Sequence, residues 1–556
     1  MEHEPQNVWE MLAYVFLRAY EASMWAVFHG FYPFLWWLWN LTPAGWPVLL
    51  KIVPFFLVPF ALFPILRPFA FWRRVRGSAL FGSARWANLR ELRRAGMLRP
   101  GGRFLGVFRG RDLYLHGEGH CLTVAAQGGG KTTGLIIPTL LTYRAGPVIV
   151  TDPKGAITAQ TARFRRSLGR VVVLNPWRDE LAQDPAFGLD LGDDGMNPLQ
   201  AVGLSPEGRQ AASLLAALLL PDMPGEEAFW RQEGRELLEW GMLWQAMRLP
   251  EGQRTLPRLR GLLYDLPELV SILEAVTKGE PGNEPGARAL RDGAGKFYGL
   301  IAMGAGAQLS GVVGTATTAL KIYDQDTRLA GHVSRDGFRL SDLKAGEPLT
   351  LFVICPPDHL VGDDRKWLNL VLALICQQIG RPGRAVETVL LADEFPALGY
   401  LPNLAGALEQ FREAGLRAHL IAQNVGQILT IYGQDGLRRF WGACENKQFF
   451  RITDPEQARL LSSWIGERTE RQVSRGSDGR ETVSLVGVPL VRPDELLRMR
   501  GERQVIIRPE LPPIRAAVVP FFKRGEWAGL ADSNPYRHGA VTGAARPADE
   551  TREAAE

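Results

Sequence analysis

Apolar and polar residues follow three regimes along this chain. In the first, no formal charge occurs from Ala22 to Leu50, and only Lys51 interrupts the apolar run that continues to Leu66. The run is too long for one membrane span and suits two, Ala22–Leu41 and Trp46–Leu66, turning at Thr42-Pro43-Ala44-Gly45. Twenty residues at about 1.5 Å each match a hydrocarbon core of about 30 Å. From about residue 120 the second regime brings short runs rich in Val, Ile and Leu, separated by helix-length stretches. These runs are Leu122–Ala126, Val148–Thr151, Val171–Leu174, Leu349–Cys355, Val389–Ala392 and His419–Ala422. They predict strands buried on both faces of a largely parallel sheet, hence an α/β core. The third regime, from Asn197 to about His332, has no such run and reads as helical, for example over Glu207–Leu219 and Glu226–Met247. Along the second stretch Phe229, Trp230, Leu237, Leu238, Met242 and Trp244 recur at roughly helical spacing, which predicts a packed helix face.

This patterning divides the 556 residues, too many for one core, into five segments. They are a membrane segment over 1–71, then a basic juxtamembrane region with the first part of the α/β domain over 72–196. An inserted all-α domain follows over 197–332, the second part of the α/β domain over 333–525, and a polar tail, expected to be disordered, over 526–556.

Charge sharpens the first boundary. Twelve arginines against two acids give +10 between Arg67 and Asp112, within a whole-chain charge of +5, so the rest nets to −5. A basic block can mark a DNA-binding surface. Here it begins directly after the second span, at Arg67, Arg73, Arg74 and Arg76, and the positive-inside rule already accounts for it. Both the N-terminus and residues 67 onward are then cytoplasmic, with Trp36, Trp37, Trp39 and Trp46 forming an interfacial belt at the turn. Glu2, Glu4 and Glu10 fit a cleaved signal peptide poorly. The four cysteines form no CxxC pair, which argues against a disulfide scaffold or a cysteine zinc site and suits a reducing compartment. His116 and His120 have i,i+4 spacing, but Gly117 and Gly119 break any helix between them, so no metal site is expected there.

Only ten of the 64 basic residues are lysine, and one of the ten sits in the clearest motif. The first predicted strand runs into Ala125-Ala126-Gln127-Gly128-Gly129-Gly130-Lys131-Thr132-Thr133, followed by a helical stretch. Strand, glycine turn and helix together are the context a phosphate loop requires. Backbone N–H groups of Gly128, Gly129, Gly130 and the following residues can curl around phosphate oxygens, and the helix N-terminus adds its dipole. Lys131 would reach the β and γ phosphates of ATP, and the Thr132 hydroxyl, next to Thr133, would ligate Mg²⁺. Ala125 stands where the general pattern has glycine. Val389–Ala392 then delivers Asp393 and Glu394: Asp393 would hold Mg²⁺ through water, and Glu394 would activate the attacking water. Gln423, at the tip of the last predicted strand, either hydrogen-bonds to the γ-phosphate or attacking water, or forms a turn with Asn424. Asp152-Pro153-Lys154-Gly155 is either part of the ligand crevice or a strand-end turn.

In this order the motifs resemble the coupling proteins of type IV secretion systems, the TraG/TraD-like conjugation ATPases. The resemblance starts with the paired spans, Gly82-Ser83-Ala84-Arg85-Trp86-Ala87 and Glu91-Leu92-Arg93-Arg94-Ala95-Gly96. It continues through the phosphate loop to Ile137-Pro138-Thr139-Leu140, then Asp152–Gly155 and Asn197-Pro198-Leu199. Asp393-Glu394-Phe395-Pro396-Ala397-Leu398-Gly399 is its most specific run, followed by Ile421-Ala422-Gln423-Asn424 with Gln427, and Pro512-Pro513-Ile514-Arg515-Ala516. Alanine at the first loop position is frequent in that family. Ala156 departs from it, since many members carry glutamate after Asp-Pro-Lys-Gly.

The resemblance implies a RecA-like P-loop nucleotide-binding domain with an inserted all-α domain and an N-terminal two-helix transmembrane segment. It implies a homo-hexameric, multi-pass ATPase of the bacterial inner membrane with its motor in the cytoplasm. Lys131, Glu394 and Gln423 would be catalytic, and a neighbouring subunit would supply an arginine, with Arg412, Arg417 and Arg451 all eligible. Expected partners are single-stranded DNA or a relaxase–DNA complex, and the inner-membrane components of the secretion channel. Two other readings share these features: a protein-only effector receptor, and a membrane scaffold that binds ATP without turnover.

Overall fold

The computed structural model describes residues 81–537, apart from residues 186, 224, 226, 280–281, 283–285, 402–403 and 476–480. Both expected membrane spans lie outside these residues, and among the described residues no helix is long and apolar enough to cross a membrane. The described residues divide into two compact units, residues 81–83 with Thr469–Val488, and Ala84–Arg468 with residues 489–537.

Among the described residues thirteen strands occur in chain order: β1 Arg103–Phe108, β2 Arg111–Leu115, β3 Cys121–Ala125, β4 Val148–Thr151, β5 Arg170–Leu174, β6 Leu349–Val353 and β7 Thr388–Ala392. They continue with β8 Leu416–Ala422, β9 Asn446–Phe450, β10 Glu467–Arg475, β11 Glu481–Pro489, β12 Arg503–Ile507 and β13 Ile514–Ala517. β10 and β11 pair as a separate two-stranded ribbon. The other eleven form one sheet in the order β2-β1-β13-β12-β9-β3-β8-β7-β4-β6-β5. From β9 to β5 every pairing is parallel, and β12, β13, β1 and β2 add on antiparallel at the β9 side.

Parallel strands need cover on both faces, and successive side chains supply it by pointing in alternate directions. Val148 and Val150 of β4 and Val389 and Leu391 of β7 pack with Ile136, Leu140 and Ile157 of the helices after β3 and β4. Ile149, Leu390 and Ala392 face the other way, joining Leu368, Val371 and Ile375 of the helix Arg365–Gly380.

Between β5 and β6 the described residues form helices and turns, the longest being Glu227–Arg248. Leu237, Leu238 and Met242 of that helix are wholly buried, but Phe229 and Trp230 at its start are 48% and 37% exposed. The packed stripe therefore begins at Leu237, about two turns later than the sequence spacing suggests. Two connectors carry the chain out of the sheet and back, and they are tied together. Phe338 N–H donates to the Gly195 carbonyl (3.1 Å), Leu340 N–H to Gln200 Oε1 (3.0 Å), and buried Asp193 bonds His332 Nδ1 (2.8 Å) and Arg335. After β13 the chain keeps contact with the rest of the domain as far as Tyr536. Trp527 is buried edge-on to Phe104, Asp532 pairs with Arg163, and Tyr536 Oη donates to the Lys154 carbonyl (2.9 Å).

Candidate functional site

Strand register gathers the candidate residues. Ala125 at the end of β3 lies opposite Phe450 of β9, Val124 opposite Ala422 of β8, and Ala392 of β7 opposite Leu420 of β8 and Thr151 of β4. The carboxyl ends of five neighbouring strands thus present the phosphate loop, Gln423, Asp393, Glu394, Asp152 and Arg451 along one edge, where open α/β sheets bind ligands.

The loop itself turns on glycines. Gly128 and Gly130 have φ of 69° and 83°, a region that L side chains seldom occupy. A Cβ at Gly129 would sit 2.9 Å from the Ala126 carbonyl oxygen and 3.4 Å from the Phe450 ring. The chain then enters a wide π-turn at Thr132–Ile136 that leads into the helix Ile137–Thr142. Lys131 is buried, and its Nζ donates to the carbonyls of Ala125 (2.7 Å) and Ala126 (3.3 Å). Burial pulls its pKa down, while Asp393 and then Glu394 oppose that shift.

Thr132 Oγ1 donates to Asp393 Oδ2 at 3.2 Å, a direct link between loop and acidic strand end across 261 residues of sequence. The other carboxylate oxygen accepts the Glu394 N–H (3.1 Å), and Glu394 itself adopts left-handed backbone geometry, φ 49° and ψ 44°. Strain of this kind costs about 1 kcal/mol or more and persists only where surroundings impose it. Burial, with the adjacent charges of Glu394 and Asp152, pushes the Asp393 carboxyl up to about 7.

The structure thus joins Thr132 to Asp393 directly, with Lys131 and Glu394 near enough to act on the Asp393 charge. Gln423 sits at the same edge, half-buried. Its N–H donates to Gln427 Oε1 (3.3 Å), and Asn424 caps the following helix by accepting from the Gln427 N–H (2.8 Å). Asp152 is 2% exposed and accepts from the backbone N–H (2.7 Å) and hydroxyl (2.8 Å) of Thr158, anchoring the helix Ala156–Leu168. Lys154 is exposed at the turn.

Of the three arginines, Arg417 is buried near the amino end of β8 and donates to the carbonyls of Arg412 (2.6 Å) and Leu416 (3.0 Å). Arg412 pairs with Glu445. Arg451 alone reaches the phosphate loop of its own chain, bonding the Gly128 carbonyl. Its place was invisible in the sequence because β9 has no apolar run to announce it: Asn446, Gln448, Phe449 and Phe450 are all buried, polar and apolar alike.

A family model described as type IV secretory system conjugative DNA transfer matches residues 85–546. The conjugal transfer protein TraG of Escherichia coli is similar to this chain, 29% identical over 482 residues that span 76% of this chain and 72% of that protein. Protein VirD4 of Agrobacterium fabrum is 26% identical over 467 residues, 79% of this chain and 66% of that protein. Among solved structures, the unbound monoclinic form of the bacterial conjugative coupling protein TrwBdeltaN70 shares the fold, with a TM-score of 0.56 at 19% identity over 79% of this chain and 94% of that one. The plasmid coupling protein TrwB in complex with ADP and Mg²⁺ gives a TM-score of 0.55 at 19% identity, with the same coverage of both chains. With the family model spanning most of its length, this chain belongs to the type IV secretory system conjugative DNA transfer family.

Proposed function

We propose that this chain is an inner-membrane coupling ATPase. It recruits a relaxase–DNA complex or protein substrates to a type IV secretion channel and energises transfer by ATP hydrolysis. One observation carries the reading: the 3.2 Å bond from Thr132 to Asp393, beside Lys131, on one edge of a parallel sheet. Glycines with positive φ and a lysine already folded over its own loop fit a polyphosphate. That the TrwB structure was solved with ADP and Mg²⁺ supports the same use of the fold.

Lys131 would leave the Ala125 and Ala126 carbonyls for the β and γ phosphates, with backbone N–H groups of Gly128, Gly130 and Thr133 around them and the Gly129 N–H shaping the loop through the Ala126 carbonyl. Thr132 and Asp393 would hold Mg²⁺. One direct oxygen from Thr132 and one reached through water from Asp393 suit an ion that keeps several waters and shares the phosphates, and among the described residues no cluster of three or more His, Cys, Asp or Glu forms a fuller cage. When bound, the ion supplies positive charge that draws off the phosphates' negative charge and favours an ionised Asp393. Glu394 would take the proton of the attacking water, and the Gln423 amide would position that water or the γ-phosphate. The subunits would form a homo-hexamer anchored by residues 1–71, with a neighbour's arginine completing each site.

The test is ATP hydrolysis by detergent-purified full-length protein, with and without single-stranded DNA, beside Lys131→Ala and Glu394→Gln, with oligomeric mass measured on the same samples. The expected outcome is DNA-stimulated turnover that both substitutions cut at least about 100-fold, with Glu394→Gln still binding nucleotide. Turnover indifferent to DNA in an intact ring would favour the protein-only receptor. No turnover in an intact ring would leave the scaffold reading in its place.

A further inference from the structure

The residue that follows β9 is placed as no local sequence signal requires. Arg451 has a left-handed backbone, φ 48°, one of four non-glycine residues with positive φ among the described residues. That turn does two things. It aims the Arg451 carbonyl at the N–H of Ala126 (3.3 Å), and it returns the guanidinium over the phosphate loop, where Nη1 donates to the Gly128 carbonyl. The next peptide N–H, that of Gly129, donates to the Ala126 carbonyl (3.1 Å). The Gly128–Gly129 peptide is therefore held at both its oxygen and its nitrogen, and the Phe450 ring closes on Gly129 from the side.

The need for such a clamp follows from composition. Gly128, Gly129 and Gly130 are consecutive, and glycine enters both halves of the φ range almost equally. A loop of this kind does not by itself choose which way its peptides point. In a trans peptide the C=O and N–H point in opposite directions, so a flip at 128–129 would set the Gly128 carbonyl against the Ala126 carbonyl and undo the turn that shapes the loop. Sparsely populated backbone conformations at such places are held by their surroundings and tend to mark functional positions.

We propose that Arg451 is a positioning residue that acts in cis: by gripping the Gly128 carbonyl it locks the phosphate loop of its own subunit in the orientation that accepts a polyphosphate. This rests on the nucleotide-binding reading of the loop. It also removes Arg451 from the arginines eligible to serve a neighbour's site.

The experiment titrates full-length protein with a fluorescent ADP analogue in the presence of Mg²⁺, comparing wild type with Arg451→Gly, Arg451→Lys and Lys131→Ala, and records a melting curve for each. Arg451→Gly keeps the left-handed turn at no strain while deleting the grip. It should melt at or above the wild-type temperature yet bind the analogue about tenfold more weakly, a loss of about 1.4 kcal/mol. Arg451→Lys, with charge but no fork, should recover only part of this. In steady state the KM for ATP should rise about as much, with kcat at saturation changed less than twofold. Binding by Arg451→Gly within twofold of wild type, while Lys131→Ala fails to bind, would overturn the clamp and leave the site reading intact. A wild type that does not bind the analogue overturns both. Should Arg451→Gly not fold, Arg451→Asn tests the same point, because asparagine also tolerates left-handed geometry.

Discussion

His120 and His419 are buried at the amino end and the middle of the phosphate-loop strand and its neighbour, and neither can gain a proton cheaply. His120 Nδ1 accepts the Ala418 N–H (3.0 Å), so Nε2 carries the hydrogen and donates to the Leu408 carbonyl (2.7 Å). Burial lowers its pKa to about 4 and that of His419 to about 3. The unfolded chain, with histidines near 6.5, binds these protons first. The stability due to each histidine is therefore fully present above about pH 6.5 and lost as pH falls from there toward about 4 for His120 and about 3 for His419. The melting temperature should be flat above neutrality and drop steeply below pH 6. His120→Asn should start lower and show a shallower drop in the same scan. Thr132 yields a second expectation at this scale. Thr132→Val removes a hydroxyl that meets Asp393 at 3.2 Å, so Mg²⁺-dependent nucleotide affinity should fall at least about tenfold, while Thr132→Ser retains it. Equal affinity in the valine variant, measured by calorimetry with and without Mg²⁺, would remove Thr132 from the metal site.

At the scale of elements, the helix Glu227–Arg248 shows how periodicity and burial part company. Leu238 and Phe229 read as members of one stripe, but Leu238 is fully buried and Phe229 is 48% exposed. Leu238→Ala should cost about 2–5 kcal/mol, and Phe229→Ala within about 0.5 kcal/mol of nothing. Denaturant midpoints at constant slope would separate them, and equal losses would mean that Phe229 is buried in solution. The helix after the phosphate loop is constrained from the opposite side of the chain. A Cβ at Gly134 would overlap the Val518 side chain, and Val518 is buried directly after β13. Gly134→Ala should therefore destabilise by about 1–3 kcal/mol despite alanine's better helix propensity, because overpacking outweighs the gain of about 1 kcal/mol.

At the scale of the whole molecule, the helical insertion hangs from the sheet by two connectors that approach too closely for a side chain between them at Gly337. A Cβ on Gly337 would overlap the Asp194 carbonyl oxygen, a backbone atom that cannot rotate away. Asp194 N–H in turn donates to the Val173 carbonyl of β5 (2.8 Å), so the clash would be transmitted to the sheet edge. Gly337→Ala should lower stability by about 1–3 kcal/mol. Limited proteolysis should then cut first around residues 193–200 or 332–340. First cleavage elsewhere would show that the connectors are not the weak point.

What the sequence determined by itself was whatever could be expressed in a local run of residues. β4 to β7 are short stretches whose every residue but β5's first two is buried, so apolar composition alone announces them. The phosphate loop and the run Asp393–Gly399 are contiguous and carry the family resemblance directly. β9, β12 and the first half of β8 are equally buried for the most part, but they contain Asn446, Gln448, Gln504, Arg417 and His419. His419, Gln448 and Gln504 are tolerable inside only because distant partners satisfy them, whereas Arg417 bonds carbonyls close to it in the chain. Thr123 bonds His419 and Gln448 (both 2.7 Å), and Gln448 reaches the Leu105 carbonyl (2.9 Å) and Gln504 (3.0 Å). A buried polar side chain without a partner costs about 1–3 kcal/mol, and with one it is nearly neutral. No local pattern reveals which case holds when the partner lies some 300 residues away. Arg451 belongs to the same class: its identity is plain in the chain, but only the folded sheet, by setting Phe450 beside Ala125, brings its guanidinium onto the phosphate loop.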